Sequence, residues 1–328
     1  MKVYFGIDQL PETPLEPIAT LGNLDGVHRG HQVILSQLTQ EAERIGTTTM
    51  VIVFQPHTRR VLRPDDDFRA LMTTTEKLRR LYEQGIQHVL VLPFAEGIAD
   101  MTASEFVEEI LWEPLRVRSM FVGPDCAFGK DRVGDFRFLT SEGRRLGFHV
   151  GLVDPLVIGY HRVSSSQIRD AVSRGDLETA NRLLGRDHII SGTVMRGFRR
   201  GRELGFPTAN IQDEKLCLPP NGVYVGWAML EDGTKHGTML NIGMRPTFGG
   251  ESLSIEAHLF NYQGDLYGQE LRVALRARLR NEVAFTDVEA LKNQLRRDAV
   301  EAKKLLGIKK VKAAEAAKDI GDDEGDDE

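Results

Sequence analysis

Cysteine is nearly missing from this 328-residue chain: Cys126 and Cys217 are the two it has, far apart and with no Cys-x-x-Cys pair. A disulfide framework and a cysteine-built zinc site are thereby excluded, and reduced thiols are the simplest reading. Long apolar runs are also lacking, so no segment reaches the length of a membrane span, and no basic stretch leads into an apolar core at the N-terminus. Nor is there the basic surplus that attracts nucleic acid. The net charge is -6, and Asp322, Asp323, Glu324, Asp326, Asp327 and Glu328 near the C-terminus account for all of it. That tail, residues 313–328, reads as a solvated end. No Gly-x-x-x-x-Gly-Lys-Ser/Thr loop occurs, which excludes a Walker-type phosphate cradle. What is there is a chain of 41% hydrophobic residues, long enough for two packed domains and expected in the cytoplasm.

Up to about Gly185, short apolar runs alternate with helical patterns, as a parallel sheet with crossover helices requires. Ile18–Leu21, Met50–Phe54, His88–Pro93, Met120–Val122 and Phe148–Val153 are the expected strands. Ile34, Leu38, Ala42 and Ile45 share one helical face that stops at Gly46, and Thr102-Ala103-Ser104-Glu105 spells a capping box. After Gly185 the texture changes to β-rich runs, Ile189–Met195, Val223–Leu230, Gly237–Ile242, Leu253–Phe260 and Leu271–Leu279, between Gly, Pro and Asp turns. These predict a small antiparallel barrel at residues 186–312 behind an α/β domain at 1–185. A final helix over Asp287–Leu306, opened by a capping box at Thr286 and Glu289, is expected to pack on the barrel. The joining segment, Ser173 to Asp187, has a helical pattern of its own and few flexible residues, so the domains are expected to be fixed relative to each other.

The densest chemistry lies at Gly22-Asn23-Leu24-Asp25-Gly26-Val27-His28-Arg29-Gly30-His31. A strand feeds a glycine turn that opens a helix, so backbone N-H groups and the helix dipole make an anion site, and His28 and His31 fall on one helical face. A polyphosphate is the natural ligand. Ser164, Ser165 and Ser166 begin a later helix with Arg169 one turn on, a grouping able to grip phosphate oxygens, although taken alone it is an ordinary serine cap. Between them runs a glycine-punctuated loop, Gly123 to Asp135, carrying Asp125 and Phe128. In the second half, Gly197, Gly201, Gly205 and several arginines precede Pro207-Thr208-Ala209-Asn210, where Thr208 and Asn210 offer hard oxygen ligands of the kind Mg²⁺ takes.

His-x-Gly-His with a downstream Ser-Ser-Ser-x-Ile-Arg resembles the nucleotidylyltransferases. The series Gly-Asn-x-Asp-Gly-Val-His-Arg-Gly-His, Pro56-His57, Gly-x-Asp-x-x-Phe-Gly and the serine helix start resembles, more narrowly, the adenylylating module of prokaryotic bifunctional riboflavin kinase/FMN adenylyltransferases. The later series, Pro207 to Asn210, Leu218 to Tyr224, Asn241 to Phe248, Ile255 to Leu259 and Asp265 to Gly268, follows the order of riboflavin kinases. The resemblance implies a Rossmann-like nucleotidylyltransferase domain followed by a riboflavin kinase barrel, with ATP, riboflavin and FMN as substrates and Mg²⁺ as cofactor. It places His28, His31, Gly22, Asn23, Asp25, Gly30, Ser164, Ser165, Ser166 and Arg169 at ATP phosphates. Pro56, His57, Asp125 and Phe128 would lie near the flavin. In the second domain Gly197, Gly201 and Gly205 would close over phosphates, Thr208 and Asn210 would help hold Mg²⁺, and Glu256 would be the general base.

Several positions depart from the family pattern: Leu24 stands for a usual Phe, Gln55 for Asp, Thr58 for Pro, Cys126 for an aromatic and Ser166 for Thr. They leave room for an alternative, a monofunctional kinase whose first domain senses nucleotide or flavin. A class I tRNA synthetase fragment would share His-x-Gly-His, but the chain lacks a basic anticodon-binding portion and a Lys-x-Ser-Lys sequence. A purely structural role would leave two phosphate-handling motif sets unexplained.

Overall fold

The computed structural model describes residues 1–95, 97–196, 201, 204–247 and 250–308. Gly197 and the acidic tail lie outside the described residues. The first unit is a six-stranded parallel sheet of β1 (Lys2–Phe5), β2 (Ile18–Leu21), β3 (Thr49–Gln55), β4 (His88–Pro93), β5 (Ser119–Val122) and β6 (His149–Leu152), in the order β1-β4-β3-β2-β5-β6. Alternation within β3 explains its two faces: Met50, Ile52 and Phe54 enter one apolar cluster with Phe106 and Ile110, while Val51 and Val53 enter another with Leu35 and Leu38. Helix α1 (Arg29–Ile45) covers the second face and ends at Gly46, whose N-H bonds to the Ala42 carbonyl at φ 70°. The box at Thr102 and Glu105 is closed in both directions.

The strand order grows toward β3 on one side of β2 and toward β5 on the other. Such a reversal opens a crevice at the carboxyl ends of the strands. The glycine-histidine turn leaves the carboxyl end of β2 and therefore stands in that crevice. Helices α2 (Thr58–Leu62) and α3 (Thr74–Glu83) follow β3, and α6 (Ser165–Ser173) and α7 (Leu177–Leu184) follow the sheet. Between them lie a short helix, α4 (Ala103–Glu105), and α5 (Phe136–Leu146).

The second unit is a closed barrel of β9 (His188–Met195), β10 (Ala209–Ile211), β11 (Gly222–Met229), β12 (Lys235–Thr247), β13 (Gly250–Leu259) and β14 (Glu270–Asn281), all neighbours antiparallel. The two-residue strands β7 (Val157–Ile158) and β8 (His161–Arg162) form a hairpin before α6. Helix α8 (Val288–Leu305) lies on the outer face of the barrel, with Ala302 and Leu306 against Val223, Val225, Met239 and Phe260. Its cap is Asp287, which accepts from the Ala290 N-H, and not the expected Thr286, whose hydroxyl donates to Asp287 instead. A carboxylate outcompetes a hydroxyl for the first-turn N-H groups because it adds charge to the cap. Val288, the first residue of the helix, is exposed.

The two units are joined by more than a linker. Buried Glu76 of α3 takes Arg272 of β14 at 2.7 and 3.1 Å and Arg80 at 2.6 Å. Ala70 and Leu216 form a parallel β-bridge, and Arg60 donates to the Lys215 carbonyl at 3.1 Å.

Candidate functional site

The turn after β2 is folded by strain and by anchors. Leu24 and Val27 have φ of 43° and 37°, in the left-handed region that side-chain-bearing residues rarely adopt, least of all a β-branched one. Asp25 was expected at the phosphates but is an anchor. It is 2% exposed, its carboxylate accepts the Leu71 N-H at 3.0 Å, and it pairs with Arg169 at 3.0 Å. A carboxylate so enclosed has no face left for an anion. Arg169 also stacks over Phe68, 4.8 Å from the ring centre, so Asp25 and Arg169 together tie the turn to α6. Ser165 adds a third tie, donating to the Asp25 carbonyl at 2.8 Å.

His28 caps α1. Its Nδ1 accepts from the His31 N-H at 3.3 Å, and the two rings stack with centres 3.6 Å apart. Gly30 makes room for this fold-back, because a Cβ there would stand 3.2 Å from His28 Nδ1. Burial lowers the His28 pKa to about 4 and holds His31 well below the ordinary imidazole value. Both rings are therefore neutral at pH 7, and since Nδ1 of His28 is an acceptor, its proton sits on Nε2 as a donor. His31 Nδ1 is buried with no hydrogen-bond partner. An unmet buried polar atom at a helix N-terminus is an invitation to a ligand.

Other expected residues divide. Ser164 caps α6 by accepting from the Gln167 N-H, and Ser166 is exposed in its first turn. The Asn23 amide is engaged with Thr58, donating to its hydroxyl at 2.8 Å and accepting from its N-H at 3.1 Å. Half-buried His57 caps α2 and lies 4.3 Å from Phe68, with its pKa lowered by burial to about 4; Pro56 beside it is exposed. Asp125 is exposed and pairs with Arg162. Phe128 is 5% exposed and packs in the aromatic cluster with Phe106 and Phe138, under the loop and not at its surface. Leu24, the first departure from the family pattern, is likewise a core residue at 6% exposure. Cys126 packs against the same cluster as Phe128, and burial raises its thiol pKa to about 12, so it is inert.

Lys77 of α3 is a residue that sequence reasoning missed. It is 6% exposed, its ammonium makes no hydrogen bond or ion pair among the described residues, and it borders a cavity of about 440 Å³ between the two units. Asp25, His57, Thr73, Thr193 and Glu270 line the same cavity. Burial lowers the Lys77 pKa, partly offset by the charge of Asp25. An isolated buried ammonium is costly unless an anion meets it. Its only signal was one lysine in a polar helix start, which has no motif.

In the barrel, strand register gathers the expected residues. Asn210 and Asn241 both stand opposite Glu256, on either side of β13. Glu256 is half-buried; Thr208 donates to its Oε2 and Ser254 to its Oε1, each at 3.1 Å, so the carboxylate is aimed. Gly201 lies against this group: a Cβ would meet the Phe206 carbonyl at 2.4 Å and the Thr208 hydroxyl at 3.2 Å. Gly205 turns the chain at φ 81° just before Pro207. His258 Nδ1 donates to the Pro207 carbonyl at 2.9 Å and holds that turn on the barrel. Thr208 borders a pocket of about 90 Å³ walled by Leu259, Tyr262 and Tyr267.

The comparisons fit these two sites. Residues 10–167 match the FAD synthetase family model, and residues 184–306 match the riboflavin kinase model. The bifunctional riboflavin kinase/FMN adenylyltransferase of Pseudomonas fluorescens is 38% identical, over 93% of this chain and 98% of the relative. That of Escherichia coli K12 is 37% identical, over 94% and 99%. The chain belongs to the bifunctional riboflavin kinase/FMN adenylyltransferase family. Both catalytic domains are present in the order of the two-activity enzymes, which matches that reading and not the monofunctional kinase. A solved structure titled macrolide-efflux protein from Streptococcus pneumoniae shares the fold at TM-score 0.80 and 27% identity, over 92% of this chain and 98% of that one. No described helix of this family member is long and apolar enough to cross a membrane.

Proposed function

We propose that the two sites act in sequence on flavin, in the cytoplasm where ATP is at hand. At the barrel, the 5'-hydroxyl of riboflavin attacks the γ-phosphate of ATP while Glu256 takes its proton; the bond from that phosphorus to the β-bridging oxygen breaks, leaving FMN and ADP. Thr208 and Asn210 beside a single carboxylate are hard oxygen donors of low total charge, which fits Mg²⁺ shared with ATP phosphates. Bound there, the ion would neutralise charge on the terminal phosphates, with Gly201 and Gly205 letting the backbone approach them; Gly197, expected in the same role, lies outside the described residues.

At the sheet, an FMN phosphate oxygen attacks the α-phosphate of ATP and pyrophosphate leaves. The protein contributes positioning and hydrogen bonds to developing charge, with no covalent intermediate. The observation that carries this reading is the stacked, neutral histidine pair at the start of α1, with a donor at His28 Nε2 and an unmet nitrogen at His31. Gly22, Asn23, Gly30, Ser164, Ser165, Ser166 and Arg169 border the nucleotide, while Asp25 acts through Arg169. Flavin falls to the side of Pro56, His57 and Asp125, with Phe128 supporting the Asp125 loop from beneath, and Lys77 offers its ammonium to the acceptor phosphate. Supplied FMN, ATP and Mg²⁺ should give FAD and pyrophosphate in equal amounts by chromatography. No FAD would leave a kinase alone.

A further inference from the structure

Arg186 sits between α7 and β9, inside the segment that matches the riboflavin kinase model, yet its guanidinium reaches the other domain's turn. It donates to the Gly26 carbonyl at 2.6 Å and to the Val27 and Leu184 carbonyls at 3.3 Å each. Gln32 of α1 donates to the same Val27 and Leu184 carbonyls at 2.9 and 3.1 Å. Gly26 and Val27 have φ of 87° and 37°, and the next residue is His28. A backbone held in so sparse a conformation persists only where its surroundings over-determine it, and its carbonyls here are fixed from outside by one planar fork. Burial lowers the Arg186 pKa to about 10, still a cation at pH 7.

We infer, building on the adenylyl transfer reading, that Arg186 is a positioning residue through which the kinase segment completes the adenylylation site. It touches neither ATP nor flavin; it sets the Gly26-Val27 carbonyls and through them the angle at which His28 and His31 present their rings. The placement also links the site to the barrel, because Asp187 beside it accepts from Asn181, which donates to the Leu275 carbonyl of β14. Lysine at this position keeps the charge but cannot bridge two carbonyls with a planar fork.

The test compares wild type, Arg186→Lys and Arg186→Ala in the full chain, with kinase activity on riboflavin as an internal control. Arg186→Ala should lower kcat of adenylylation roughly 10- to 100-fold, the scale of a site displaced by about an ångström, with KM for ATP changed less than about threefold. Kinase turnover should hold, Arg186→Lys should recover part of the loss, and added guanidinium at millimolar level should rescue Arg186→Ala but not His28→Ala. The imidazole NMR signals of His28 and His31 should move in Arg186→Ala without substrate. Unchanged adenylylation kcat, or a parallel fall of both activities with no rescue, would overturn the assignment. Wild type that makes no FAD would instead sink the reading on which it rests.

Discussion

The two candidate sites have opposite architecture. The first is a strained turn at a helix N-terminus that carries two neutral rings, and most of its anchors come from elsewhere: Arg169 from α6, Leu71 from the loop before α3, Arg186 from past α7. The second is strand register, with Asn210, Asn241 and Glu256 aligned across three neighbouring strands of the barrel. Strain needs support from distant parts of the chain, whereas register positions side chains through the ladder itself. The first site should thus be sensitive to remote substitutions, and the second chiefly to its own residues.

The largest effects should fall on single reacting groups. Glu256→Gln should cut kinase turnover about 100- to 10,000-fold, the usual worth of a general base, while FAD formation from supplied FMN continues. Product chromatography with each substrate checks this. Asp25→Asn should break a buried ion pair and cost about 3 kcal/mol, seen as a lower denaturant midpoint and as adenylylation lost ahead of kinase activity. Retained stability would contradict the anchor role of Asp25.

Smaller effects sharpen the contrast. Lys77→Met removes an ammonium without a partner, so the free enzyme should be as stable as wild type or more so, while KM for FMN rises. An unchanged KM for FMN would remove Lys77 from the acceptor site. Protonation offers a further probe. His28, His57 and His188 have folded pKa values of about 4, below the ordinary 6.5, so the unfolded chain binds more protons in that window. Stability conferred by keeping these rings neutral is full above pH 6.5 and lost progressively as pH falls toward 4. Denaturation midpoints measured across that range should decline with falling pH. Smallest is Thr58→Pro, which deletes the N-H given to Asn23 and should cost about 1 kcal/mol while freeing the amide toward nucleotide. A lower KM for ATP in this variant would show that the Thr58 bonds hold Asn23 back from the nucleotide.

Legibility followed the same division. The largely buried strands β2 to β5 gave continuous apolar runs, so the expected segments match them within about two residues, and β6, exposed at the sheet edge, was found through its flanking Phe148 and Val153. β1 was missed because Lys2–Phe5 is short and lies at the sheet edge, and β10 because Ala209–Ile211 hides in a Pro-Thr-Ala-Asn motif read for its oxygens. At the candidate sites, motif spacing singled out His28, His31, Thr208 and Glu256, which the fold places at the start of α1 and beside one another in the barrel. It did not show that Asp25 anchors the turn, since a carboxylate beside a phosphate loop and one anchoring that loop have identical sequence signatures. It gave no hint of Lys77, whose cavity is assembled from both units, or of Arg186, whose Gly26 and Val27 partners lie far away along the chain. Phe128 was found by motif, but its burial under the loop follows from packing on Phe106, which local sequence does not encode.

The claim that the chain holds two separable sites is tested most directly by His28→Ala and Glu256→Gln given riboflavin, ATP and Mg²⁺, singly and as an equal mixture. His28→Ala alone should accumulate FMN, Glu256→Gln alone should leave riboflavin almost untouched, and the mixture should make FAD. No FAD from the mixture, or a single variant that turns over neither riboflavin nor separately supplied FMN, would contradict the account.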